Sequence, residues 1–334
     1  MSGYFSSQQF VPAHTSKAFS GTSSGMDEVT DGSESLLQST PVGTSSRSVL
    51  PFSGNSGTTT QLSNAFNPVA GLDVLPPNVI LISSDNVFFA VHQHRLISVS
   101  FNNFGGLLVP GSKPTRDNPV TLTVPEDSSV VNVVLHCVYD ISCDSYHPTF
   151  TCLTASLPAL KRYGLALSQY LARGTHLFNT VLNYAPLRPI ETYTLVASHQ
   201  LEDLAAAASS YTLHIKLYQI PHNLTDNMGT TYLQRLHQLH ALRTAKLKEL
   251  LDTKLFPHVA RPYCSVEQRQ VVSRAYHLAG AQVFYDATPA ISRPGIEKVM
   301  YDLIDAVTCP DCRESLITHV EELITTWMLF KRTI

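Results

Sequence analysis

The stretch from Val79 to Val91 reads VILISSDNVFFAV and decides the fold class of the chain. Two short apolar runs, VILI and VFFAV, flank the polar, turn-forming sequence SSDN. Apolar runs of this kind that are separated by a short polar turn predict a β-hairpin. Further along, residues 120–124 alternate valine or leucine with threonine, which predicts another strand. We therefore expect a small sheet of about three strands.

Helical patterns surround these strands. Residues 92–108 shift toward helical spacing, and Pro125-Glu126-Asp127-Ser128 is a helix start signal. The residues that follow this signal form one apolar stripe: Val130, Val133, Val134, Cys137 and Val138. A helix over 152–163 should end at Gly164, and another is expected over 165–178. This unit is predicted to be α+β, with the small sheet packed on a helical cluster.

Composition divides the chain into three parts. Residues 1–70 are rich in serine and threonine, and such a segment buries too little apolar surface to offset the entropy lost on ordering. We expect a disordered tail over 1–70, an α+β domain over 73–180 and an all-α region over 186–334. In the last region the spacing indicates these helices: 190–199, 201–215, 230–252, 266–285, 294–307 and 312–329.

Bulk composition excludes several classes of function. The chain is 43% hydrophobic, which is ordinary for a globular protein, and its formal net charge is −3. We see no basic stripe of the kind that binds nucleic acid, and no apolar run long enough to span a membrane. The first residues do not resemble a signal peptide. A soluble, intracellular protein is expected, in the cytoplasm, the nucleus or both.

Four spaced motifs within residues 73–180 resemble the BTB/POZ family. The run ending in Val91 and His92 is similar to the family's strand that ends in a valine–histidine pair, and Leu96 and Ser100 match its following leucine and serine. Residues 122–127 resemble the strand and acidic turn before the family's third helix, and residues 134–139 resemble the apolar–tyrosine end of that helix. Residues 157–165 resemble the alanine-x-lysine-tyrosine helix end.

Two further phrases are especially like BTB proteins that are abundant in mushroom-forming fungi. They are HQHRL at 92–96 and FGGLL at 104–108. The resemblance assigns structural roles to the motif positions: His92, Leu96, Ser100, Tyr139 and Tyr163. It implies a protein-interaction domain that forms a homodimer or binds another protein. We expect no catalysis and no cofactor, because we see no nucleophile-elbow context and no phosphate-binding glycine loop in the sequence.

The resemblance also implies an alternative function as a cullin-type ubiquitin-ligase adaptor. In such adaptors a cullin binds around the third helix and at a hydrophobic–x–glutamate motif just before it. The corresponding stretch here, residues 109–119, contains no glutamate. Zinc-finger and kelch-type repeats, which often accompany this domain, are not found in the sequence.

The cysteines suggest a different class of function. Cys309 and Cys312 form a CxxC pair, which could be half of a zinc site if further ligands came from Cys264, His277 or His319. None of those three has paired spacing, so we expect cysteines at a helix start with no bound metal. A metal-dependent or redox protein built on Cys309 and Cys312 is the alternative.

Overall fold

The computed structural model describes residues 61–109, 111, 114–255, 258–259 and 261–334. Within these residues the chain is an α+β protein with one small sheet and mostly helical structure, as predicted. The predicted disordered tail lies outside the described residues as far as residue 60. None of the described helices is both long and apolar enough to cross a membrane.

The sheet has four strands, arranged in the order β1-β3-β2-β4. Strands β2 (Val79–Ile82) and β3 (Val87–Val91) form the predicted antiparallel hairpin, with Val79 opposite Val91. The predicted third strand is β4 (Val120–Thr123), which runs parallel to β2. Strand β1 (Gln61–Leu62) was not predicted, because two residues are too short for an apolar alternation to show.

Residues 61–70 belong to the fold, so the predicted tail extends too far. Strand β1 pairs with β3, and the backbone N–H of Ala90 donates to the carbonyl oxygen of Phe66 at 2.8 Å. Phe66 is fully buried, with its ring centroid 5.4 Å from that of Tyr139. The sequence did not predict this burial, because the residues around Phe66 are rich in serine and asparagine and their composition indicates a disordered segment.

Helices follow the strands in the predicted order, with two changes. Helix α1 (Gln93–Val99) ends earlier than the helical pattern over 92–108, and α2 (Ser128–Tyr139) and α3 (Phe150–Arg162) lie where expected. The single helix predicted over 165–178 is instead two short helices, α4 (Leu167–Tyr170) and α5 (His176–Leu182). Between them Gly174 has a φ of +87°, a backbone conformation that interrupts a helix.

Seven further helices complete the described chain. They are α6 (Pro189–Ser198), α7 (Glu202–Ser209), α8 (His222–Met228), α9 (Thr230–Leu251), α10 (Val266–Asp286), α11 (Arg293–Ala306) and α12 (Pro310–Leu329). Six of these match predicted segments, although α7 is shorter than its segment, while α8 was not predicted. The C-terminal region is helical, as expected.

Two hydrophobic cores hold these elements. The first core begins at Phe66, includes Val181 on α5 and Ile190 on α6, and ends at Leu236. The second is built from α9 to α12 and begins at Leu247. Since Leu236 and Leu247 lie on the same helix, α9 contributes to both cores.

A fully buried arginine, Arg243, lies on α9 between the two cores. Its Nε donates to the carbonyl oxygen of Pro289 at 2.6 Å, and its Nη1 donates to those of Phe330 and Lys331 at 3.0 and 2.9 Å. The guanidinium carbon lies 4.1 Å from the centre of the Trp327 ring, at cation–π distance. Burial lowers the pKa of Arg243 to about 10, so the side chain stays charged at neutral pH.

The loop after α1 is fastened to the end of α3 around Gly164. The Gly164 φ is +74°, and its carbonyl oxygen accepts a hydrogen bond from the N–H of Phe101 at 3.0 Å. The Asn102 amide donates to the carbonyl oxygen of Arg162 at 2.9 Å. A Cβ atom at Gly164 would overlap Asn102 Oδ1. Both this overlap and the positive φ therefore favour glycine over any other residue at this position.

Arg243→Ala should lower the free energy of unfolding by about 3 kcal/mol, because it removes a fully buried side chain and leaves three carbonyl oxygens without their charged donor. Urea unfolding followed by circular dichroism measures the change. Arg274→Ala, on the exposed face of α10, is the matched control and should change it by less than about 0.5 kcal/mol. Equal effects of the two substitutions would contradict the role given to Arg243.

Gly164→Ala and Gly174→Ala separate backbone strain from steric overlap. Both glycines have positive φ, but a Cβ at Gly174 would meet nothing within 4 Å. We expect Gly174→Ala to cost about 1 kcal/mol and Gly164→Ala at least about 1 kcal/mol more, measured by thermal or urea unfolding. Similar losses for the two variants would show that Asn102 moves aside freely.

Candidate metal centre and interaction surface

Three cysteines and one histidine converge beside the second core. His258 and Cys264 lie between α9 and α10, Cys309 directly precedes α12, and Cys312 lies in its first turn. Their potential ligand atoms all lie within 4.8 Å of one another. Cys264 Sγ is 3.7 Å from Cys312 Sγ, and Cys309 Sγ is 3.4 Å from His258 Nε2. We call these four residues the Cys₃His cluster.

Local sequence explains why the cysteines point to one place. Cys309 is the N-cap residue of α12 and Pro310 is its first helical residue, so the CPDC sequence places Cys312 one helical turn after Cys309. Cys264 directly precedes Ser265, which forms a capping box with Gln268 at the start of α10. Two helix starts therefore face each other across the cluster.

Polar contacts fix the loop that carries His258. The carbonyl oxygen of Val259 lies 2.6 Å from His258 Nδ1, so this nitrogen donates and Nε2 keeps its lone pair toward Cys309. Arg269 Nη1 donates to the carbonyl oxygen of His258 at 3.0 Å. The hydroxyl of Tyr263 donates to Asp311 Oδ2 at 2.7 Å, which links the loop to α12.

The thiols of the cluster differ in how readily they ionise. The backbone N–H of Cys312 stabilises the Cys309 thiolate and lowers the pKa of Cys309 to about 7, with smaller contributions from Cys264 and His258. Burial raises the pKa of Cys312 to about 12, with Cys264 and Cys309 adding to the shift, and burial also raises the pKa of Cys264. One thiolate is thus favoured near neutral pH, whereas three together require a compensating cation.

The structure brings together only part of the set considered from the sequence. Cys264, Cys309 and Cys312 meet, but His277 is exposed on α10, and His319 Nε2 is 3.1 Å from the hydroxyl of Tyr276. Sequence reasoning missed His258. A histidine six residues before a cysteine, between two predicted helices, was the available signal. The expected helix start at the CxxC pair is confirmed by α12.

Four of the five motif positions singled out in the sequence contact one another in two pairs. His92 Nδ1 lies 2.7 Å from the Tyr139 hydroxyl, and the N–H of His92 donates to the same oxygen at 2.9 Å. Ser100 Oγ donates to the carbonyl oxygen of Tyr163 at 2.7 Å. Leu96 is fully buried in the first core. These residues are placed to hold the hairpin, α1 and the ends of α2 and α3 together.

Exposed apolar side chains lie on α1, directly after it, and in the segment before the hairpin. Val74 is 100% exposed and Phe101 79% exposed, and Leu75 and Ile97 are exposed as well. The two segments are joined, because Asp73 Oδ2 lies 2.7 Å from Arg95 Nε and the carbonyl oxygen of Leu75 lies 2.8 Å from His92 Nε2. We call Val74, Leu75, Ile97 and Phe101 the α1 surface.

No protein-family model, curated protein or solved structure matches this chain.

Proposed function

We propose that this chain is a non-catalytic protein-interaction protein that self-associates through the BTB/POZ-like unit at residues 73–180. The observation that carries the proposal is the α1 surface, which leaves Phe101 79% exposed to water. Large apolar side chains grouped on a protein surface are characteristic of binding sites for other proteins. The occupant that we assign to this surface is a second copy of the chain.

The order of elements supports the assignment to this kind of unit. An antiparallel hairpin is followed by α1, then by a strand parallel to β2, and then by the helices α2 to α5. The motifs predict a hairpin, a pair of helices, a strand and three helices; the hairpin and the strand match, while one α-helix stands in place of the pair and four follow the strand. The motif residues His92 and Ser100 are hydrogen bonded to other motif positions. A homodimer is what the resemblance implies for such a unit.

The chemistry of the α1 surface is suited to a symmetric contact. Burying a phenylalanine side chain contributes roughly 1.5–3 kcal/mol, and a two-fold contact buries each residue twice. Arg95 and His94 lie beside the apolar side chains and share the carboxylate of Asp73. Apolar residues with a charged border form the usual arrangement of a protein–protein interface.

The two alternative functions stay predictions. A cullin as partner rests on the resemblance alone, and none of the contacts among the described residues favours it. A metal-dependent or redox enzyme would use Cys309 and Cys312, but four protein side chains already converge there, whereas catalytic zinc sites keep one position open for water or substrate.

Light scattering of the full chain should give twice the mass of one chain at micromolar concentration. Phe101→Glu should weaken self-association at least tenfold, since it places two charges in the contact and removes the burial of two rings. Leu187→Glu is the matched control, because Leu187 is also 79% exposed and lies between α5 and α6. It should leave the dimer intact.

A strict monomer at micromolar concentration would overturn the proposal. A dimer that responds equally to Phe101→Glu and Leu187→Glu would instead reject the α1 surface as the contact. Circular dichroism of both variants checks that the fold is kept, since both side chains are exposed.

A further inference from the structure

We propose that His258, Cys264, Cys309 and Cys312 bind one Zn²⁺ ion in a closed, tetrahedral, structural site. This inference is independent of the proposed self-association, because the cluster lies beside the second core and the α1 surface lies beside the first. The ligands come from the segment before α10 and from the start of α12, which are more than forty residues apart in the sequence.

Two of the six separations between the ligand atoms match those expected around a tetrahedral ion, and the other four lie within 4.8 Å. With Zn–S bonds of about 2.3 Å and Zn–N bonds of about 2.0 Å, tetrahedral geometry places two sulfurs about 3.8 Å apart and a sulfur and a nitrogen about 3.5 Å apart. The Cys264–Cys312 and Cys309–His258 separations are 3.7 and 3.4 Å. A disulfide would require about 2.05 Å between the sulfurs, so the first separation is that of two thiols.

The ligand chemistry selects zinc. Three thiolates and one imidazole form a soft donor set, whereas Mg²⁺ and Ca²⁺ are bound by oxygen atoms. A Cys₃His set with four protein ligands is typical of structural zinc sites. On binding, each cysteine thiol loses its proton to solvent as its sulfur forms a bond to the ion. No electrons are transferred.

The surroundings of the cluster support a bound ion. Cys264 and Cys312 are each 1% exposed, which keeps water from competing for the ion. The hydrogen bond from His258 Nδ1 to a backbone carbonyl orients the ring, as is usual for histidines that bind metals. Three thiolates and one Zn²⁺ leave a net charge of −1. The guanidinium of Arg269 supplies a positive charge next to this site, since its Nη1 donates to the carbonyl oxygen of His258 at 3.0 Å.

The ion would cross-link two segments that lie beside the second core. It would tie the connection between α9 and α10 to the start of α12, a link that Tyr263 and Asp311 otherwise make at the surface. Binding of the ion to the folded state alone adds its binding free energy to stability. Loss of zinc is therefore expected to loosen α9 to α12 before it affects the sheet.

Metal analysis of the full chain, purified without chelators and without an immobilised-metal column, tests the site. We expect about one zinc per chain by inductively coupled plasma mass spectrometry. A Cys309→Ser/Cys312→Ser double variant should lose it. Cys143→Ser, which alters a buried cysteine outside the cluster, is the matched control and should keep it.

Two histidine variants separate metal binding from packing. His258→Cys should keep the zinc, because it supplies a fourth thiolate, whereas His258→Ala should bind it at least tenfold more weakly in a chelator competition. Co²⁺ added to the metal-free chain should give the visible bands of tetrahedral sulfur coordination. Removal of zinc should lower the melting temperature by about 10 °C.

Three results would overturn the proposal. They are a purified chain that is folded, lacks zinc and gives no tetrahedral Co²⁺ spectrum; full zinc content in the Cys309→Ser/Cys312→Ser variant; or a stoichiometric metal other than zinc. Light scattering of the same samples keeps this test apart from the proposed function, because a monomer that holds zinc fails only the latter.

Discussion

The rest of the structure depends on helix α9, because residues of this 22-residue helix belong to both hydrophobic cores. Leu236 packs with the sheet and the helices around it, and Leu247 packs with α10 to α12. Between them Arg243 is fully buried and binds carbonyl oxygens from the segment before α11 and from the residues after α12. A charge in this position is tolerated because backbone acceptors and the Trp327 ring replace the lost water.

The proposed self-association surface and the proposed zinc site lie beside different cores, and α9 joins the two cores. The α1 surface lies beside the first core and is assigned to self-association, whereas the Cys₃His cluster lies beside the second core and is assigned to zinc binding. The C-terminus also returns to the first core, since the N–H of Ile334 donates to Ser209 Oγ at 3.0 Å. Helix α9 and the end of the chain thus both connect the second core to residues of the first.

Features with a local cause could be predicted from the sequence. The runs VILI and VFFAV form strands because their apolar side chains are buried on the faces of the sheet. Helix α3 ends before Gly164 because the backbone of this glycine has a positive φ. Features that depend on distant partners could not be predicted. Phe66 is buried only because β3 and α2 lie beside it, and His258 joins the cysteines only because α10 and α12 begin at the same place.

Native mass spectrometry of the full chain as purified tests the central claim most directly, because one spectrum reports both assembly and bound metal. We predict a dimer that carries two zinc ions and dissociates into monomers that each retain one. A monomer without metal would contradict both parts, and zinc held between two chains would contradict the assignment of all four ligands to one chain.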